Sequence, residues 1–160
     1  MANAIKPLFA SPVALTLSFA PGAVGMASST TGVGRQSTMV DNSTNRYKRI
    51  QLSLKVTMGT TPTVNRNVYV HLIRDNRDAT AIRDDNAGTT DAAFTIINAP
   101  LLMALTNTST STGTILRGNC VFEDPGPGWG IGIYHDCVAA LDATESNHVL
   151  SFVGISDEIQ

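Results

Sequence analysis

The sequence predicts an all-β fold, an antiparallel β-sandwich or jelly roll of about eight strands with an extended N-terminal arm, on three observations. Apolar and polar residues alternate from Ile50 to Met58 (IQLSLKVTM), so Ile50, Leu52, Leu54, Val56 and Met58 share one face of a half-buried strand. The same two-residue period recurs at Val13 to Phe19 and Val68 to Leu72. Between such stretches the chain carries Gly, Pro, Asn and Asp turn signals at short intervals, with no alternating helical patterns.

In chain order, Val13 to Phe19 (VALTLSF) reads as a first strand, delimited by Pro12 and Pro21. Residues 20 to 46 are rich in Gly, Ser and Thr and poor in branched apolar residues, the composition of an extended arm that gains order on a partner. The predicted organisation is therefore an arm over residues 1–46 and a sandwich domain over residues 47–160. Strands follow at Ile50 to Met58, Asn67 to Arg74, Phe94 to Ile97, Thr114 to Phe122, Trp129 to His135 and His148 to Ile155. Leu101 to Thr106 suits a strand or a helical turn after Pro100, and Val138 to Glu145 is the single candidate helix. The expected core comprises Leu52, Leu54, Val56, Val70, Ile115, Ile131, Ile133 and Phe152.

Lys6, the apolar Val13 to Phe19 and the small residues near Ala23 to Ala27 have the outline of a secretory signal. Thr16 and Ser18 interrupt that apolar stretch at strand period, which places the segment in the mature protein. No apolar run approaches the roughly 20 residues a membrane-spanning helix needs. Charged residues make up 15% of the 160-residue chain, against about 25% in an average domain. Such a surface suits large permanent contacts. The formal net charge of −2 gives no bulk electrostatic case for nucleic acid or an anionic membrane as partner.

No residue pattern specifies catalysis, a metal or a cofactor. Asp75, Asn76, Asp78, Asp84, Asp85 and Asn86 gather oxygen donors of the kind calcium takes, but without EF-hand spacing, and turn chemistry accounts for them. His71, His135 and His148 lack zinc spacing and read as strand histidines. Gly126, Gly128, Gly130 and Gly132 precede a strand rather than the helix a phosphate loop requires, so they read as room for a neighbouring strand or ring beside Trp129. The acidic pairs Asp136 with Asp142 and Glu123 with Asp124 carry no defined separation for glycoside hydrolysis. Cys120 and Cys137 could oppose each other across a sheet, but they read as two buried free thiols, which suits a protein made in a reducing cytoplasm. The sequons at Asn42 and Asn107 carry no meaning without a secretory route.

The stretches DDNAGTTDAAFTIINAP (Asp84 to Pro100), GPGWGIGIY (Gly126 to Tyr134) and VAALDATESNHVLSFVGI (Val138 to Ile155) together resemble small virion proteins of tailed bacteriophages. They are most similar to the jelly-roll decoration, or cement, proteins on the outside of the icosahedral head, and the resemblance covers roughly residues 48 to 160. It implies a non-enzymatic protein without cofactors, on the outer surface of the virion. There it would act as a homotrimer that bridges major capsid protein subunits. The arm then supplies the candidate contacts: Val13, Leu15, Leu17 and Phe19 on the strand, with Arg35 and Arg46 beyond it. The rival expectation is a carbohydrate-binding or host-recognition module of a head fibre or tail, with Trp129, Tyr134, Tyr47 and Tyr69 as the available large polar aromatics. A glycan depolymerase is a third, and it would need a longer solenoid or a visible acidic pair.

Overall fold

The structure is a computed structural model and describes residues 5–20, 24–75, 91–93 and 99–159. Its strands are β1 (Ile5–Phe9), β2 (Val13–Ala14), β3 (Val33–Gln36), β4 (Val40–Asp41), β5 (Arg49–Thr57), β6 (Arg66–Asp75), β7 (Ala92–Ala93), β8 (Leu101–Asn107), β9 (Ile115–Glu123), β10 (Gly128–His135) and β11 (Val149–Ile159). They form two antiparallel sheets. The first has five strands in the order β1-β11-β5-β9, with β2 also on β11; the second has six, β7-β3-β10-β6-β8, with β4 also on β10. The fold is a β-sandwich, as the alternation predicts.

The alternation decides which side chains enter the space between the sheets. Ile50, Leu52, Leu54 and Val56 of β5 meet Val68, Val70 and Leu72 of β6 and Trp129, Ile131 and Ile133 of β10 in one buried cluster. Trp129 is fully buried, with Phe122 edge-on at 5.5 Å and Phe152 at 5.0 Å. Burial of each such side chain contributes roughly 1.5–3 kcal/mol. Gly130 lies where an added Cβ would sit 2.7 Å from Met39 Sδ and 3.2 Å from Ser37 Oγ, so it admits the close crossing of residues 37–39 that its sequence context suggests.

Ile115 does not reach the core: β9 enters one residue out of phase, so Leu116 is buried and Ile115 is 43% exposed. Residues 138–145 form no helix; the chain bridges Met58 to Leu141 and then makes a single 3-10 turn at Glu145–Asn147. Leu101 to Thr106 resolves to strand, in β8. The strand expected at Phe94 to Ile97 and the acidic run Asn76 to Asn86 lie outside the described residues.

The boundary expected at residue 46 is not an edge of the sandwich. Leu15, Leu17, Phe19 and Met26 belong to the same buried cluster as β5 and β10. Further on, β3 pairs with β10 through Gly132 to Gln36, Ile133 to Arg35 and Tyr134 to Gly34. The described part of the Gly/Ser/Thr-rich tract, residues 24–46, packs on and pairs with this chain's own sheets. Its small residues allow the close passages that packing at a sandwich edge requires; an added Cβ on Gly25 would collide with the Leu141 carbonyl.

Candidate functional site

Residues 15–20 run as a strap along the open side of the sandwich and are tied to both sheets. Leu15 N–H donates to Leu150 O at 2.9 Å on one side, and Thr38 N–H donates to Thr16 O at 2.8 Å on the other. At the far end the Glu145 carboxylate accepts the N–H of Phe19 at 3.0 Å and of Ala20 at 2.6 Å. The Phe19 ring stacks on His148 with centroids 4.8 Å apart. Arg35, only 2% exposed, closes the strap from the second sheet: its Nη1 donates to Ser18 O at 2.8 Å and its Nε to Asp91 Oδ1 at 2.6 Å.

Four of the six candidate contact residues are thereby spent within the chain. Leu15, Leu17 and Phe19 are buried and Arg35 is paired, so none of them presents a face to a partner. Val13 is 48% exposed on β2, and Arg46 is exposed in a turn at φ 51° with its Nε on Ser43 O. These two remain at the surface.

The surface that stands out has no signature in the sequence. All five residues of β1 are exposed, with Ile5 at 70%, Leu8 at 52% and Phe9 at 59%. β5 begins its pairing with β11 at Arg49 opposite Ile155, so among the described strands the backbone ladder of Ser156 to Ile159 is shared with β1 alone, and the two strands run on as a narrow ribbon. Ile5, Pro7 and Phe9 point to one side of it and Lys6 and Leu8 to the other. A strand with apolar residues on both sides is the kind that is covered on both sides. No part of the described chain covers this one, and exposed apolar surface of this kind marks an interaction site.

The ribbon's free edge is guarded. The Ala10 N–H donates to Gly154 O, so along the ladder the even positions direct N–H groups at β11 and the odd positions direct them outward. Pro7 has no N–H to offer there, which blunts strand addition at the middle of the edge. Contacts at this ribbon are set by side chains.

The histidines serve the fold. His148 Nδ1 accepts from Thr57 N at 3.4 Å and its Nε2–H donates to Asp142 O at 3.0 Å, which fixes the neutral form. His135 Nε2 donates to Met26 O at 3.0 Å and His71 Nδ1 to Ala99 O at 3.1 Å, while His135 Nδ1 and His71 Nε2 are buried without a partner among the described residues. Burial holds all three below the ordinary histidine range. Among the described residues no three His, Cys, Asp or Glu side chains are grouped to hold a metal. Asp136 accepts the N–H of Asn67 at 2.7 Å, and Asp142 accepts from Thr144 N at 2.8 Å and Asn147 Nδ2 at 2.9 Å. Each of these two carboxylates is a turn or strand-end acceptor. Tyr69 and Tyr134 stack on one another at 4.7 Å, so one face of each ring is turned to the other. Both cysteines are free thiols, and burial pushes Cys137 up to about 11.

Comparison with protein families, with curated proteins and with solved structures finds no match to this chain. What the fold and surface define is a class: a β-sandwich with an internal strap and an outward apolar ribbon.

Proposed function

We propose that this chain is a structural virion protein that decorates and cements a bacteriophage capsid by bridging major capsid protein subunits. The observation that carries the reading is the β1–β11 ribbon, whose exposed Ile5, Leu8 and Phe9 call for a permanent partner. The connectivity supports it as well. Taking β1 with β2 and β3 with β4, the orders β1-β11-β5-β9 and β3-β10-β6-β8 have the alternation between sheets of an eight-stranded jelly roll. That is the architecture the resemblance to cement proteins leads one to expect. The low charge of the surface agrees with large contacts.

In this reading the protein assembles as a homotrimer on the outside of the head, and the ribbon sits in the junction between neighbouring subunits. The test is to add purified protein to heads that lack it and to measure bound copies and resistance to DNA loss on heating. Wild-type protein is expected to bind and protect. Phe9→Ser with Leu8→Ser is expected to abolish both while the isolated protein remains folded. Heads that never take up the wild-type protein would refute the proposal.

A further inference from the structure

The outward face of the first sheet carries two cations that no carboxylate among the described residues answers. Lys55 of β5 stands directly opposite Arg117 of β9, and in the same ladder Ser53 stands opposite Asn119. Cross-strand partners of this kind have Cβ atoms about 4.5–5.5 Å apart, and like charges there are destabilising. The ion pairs among the described residues include Arg35–Asp91, Lys48–Asp157, Arg49–Asp157 and Arg66–Asp136, and neither Lys55 nor Arg117 is paired with a described carboxylate. The acidic residues of the same face, Glu123 and Asp157, lie beside Arg49. That is six residues along β5 from Lys55, about 20 Å.

The two cations border a shallow depression of about 300 Å³ lined by Ser53, Lys55, Arg117, Gly118, Asn119 and Val149. Ser53 and Asn119 supply neutral hydrogen-bond donors at the same floor. A guanidinium fork next to an ammonium matches a carboxylate, taken in two parallel N–H···O bonds by the arginine and as a point charge by the lysine. Val121, 57% exposed, and Val149, 48% exposed, flank the depression with apolar surface of the kind that a protein partner covers and a nucleic acid backbone does not.

We infer that Lys55, Arg117, Ser53 and Asn119 form a binding site for a carboxylate side chain of an acidic protein segment. The site stands apart from the virion reading, because its chemistry specifies the bound group and leaves open which assembly supplies it. Such a role explains why a repelling pair is kept on a face whose acidic residues lie at its other end: the repulsion is relieved when the anion arrives.

The test is a titration of the full chain with a hexaglutamate peptide and, separately, with hexathymidylate, followed by amide and arginine Nε NMR signals. Hexaglutamate is expected to shift Arg117 Nε and the Ser53 and Asn119 amides saturably, and raised salt is expected to weaken the effect. Arg117→Gln and Lys55→Gln should each weaken binding roughly tenfold. Both variants should keep the wild-type melting temperature or exceed it, since each removes one member of a repelling pair. The inference is overturned if hexaglutamate causes no saturable shift, if the shifts persist in both variants, or if hexathymidylate binds as well as the peptide. A clear drop in melting temperature in both variants would also overturn it, because the pair would then be a structural element.

Discussion

The strap at residues 15–20 and the ribbon strand β1 lie within a few residues of one another, and both are apolar, yet they have opposite fates. Leu15, Leu17 and Phe19 are buried in their own sandwich, whereas Ile5, Leu8 and Phe9 stand in solvent. The difference lies in what receives them. The strap meets acceptors and donors on both sheets, from Leu150 and Glu145 on one side to Thr38 and Arg35 on the other. Among the described strands, β1 pairs with the tail of β11 alone. Apolar patterning says that a segment will be covered, and the backbone partners decide by which molecule.

The sharpest way to break this comparison is to truncate one aromatic ring from each segment. Phe19→Ala should lower unfolding free energy by about 3–5 kcal/mol, because it empties a site at 2% exposure, while Phe9→Ala should change it by less than about 0.5 kcal/mol. Chemical denaturation measures both. Equal losses would mean that the ribbon is part of the core after all.

Acid should loosen the strap ahead of the ribbon. His148, which stacks on Phe19, has its folded-state pKa lowered by burial, as have His71 and His135. Below about pH 6.5 the unfolded chain therefore takes up protons that the folded chain refuses. Stability from these groups is complete above that pH and is lost as the pH falls toward and through the lowered values. The loss is about 1.4 kcal/mol for every tenfold difference in proton affinity between the unfolded and folded chains. Protonation of His148 at Nδ1 would set an N–H against the Thr57 N–H. Hydrogen exchange between pH 7.5 and 5.5 should show Leu15 to Ala20 gaining exchange first once intrinsic rates are corrected. A stability profile that rises on acidification would contradict the assignment of neutral, buried imidazoles.

A smaller effect is expected at the strap's latch. Glu145→Ala removes the acceptor for two N–H groups and should cost about 1–2 kcal/mol, with Glu145→Gln intermediate. Exchange at the Phe19 and Ala20 amides should rise about tenfold or more, while the β1 amides stay as they were. If both segments respond together, strap and ribbon are one cooperative unit.

The sandwich is legible in the sequence because strict alternation at Ile50 to Met58 and Val68 to Leu72 permits one buried face. Ile115 misleads because Thr114 to Phe122 is apolar at both parities near its start, and a shift of one residue exchanges the faces. The strap's alternation points to a strand with the right inward set, but its acceptors, Leu150 and Glu145, lie more than a hundred residues away and leave no local trace. β1 is silent for the reverse reason. Pro7 and Lys6 break the alternation, and a strand covered on neither side by its own chain has no two-residue signature. The Lys55–Arg117 pair exists only once β5 and β9 are in register.

The most direct test of the whole account is a cryo-electron microscopy reconstruction of virions that carry this protein. It should show the sandwich on the outer surface of the head, with Ile5 to Phe9 of each copy seated at the junction between adjacent capsid subunits. A reconstruction in which the protein is absent from the head, or in which β1 projects freely into solvent, would contradict it.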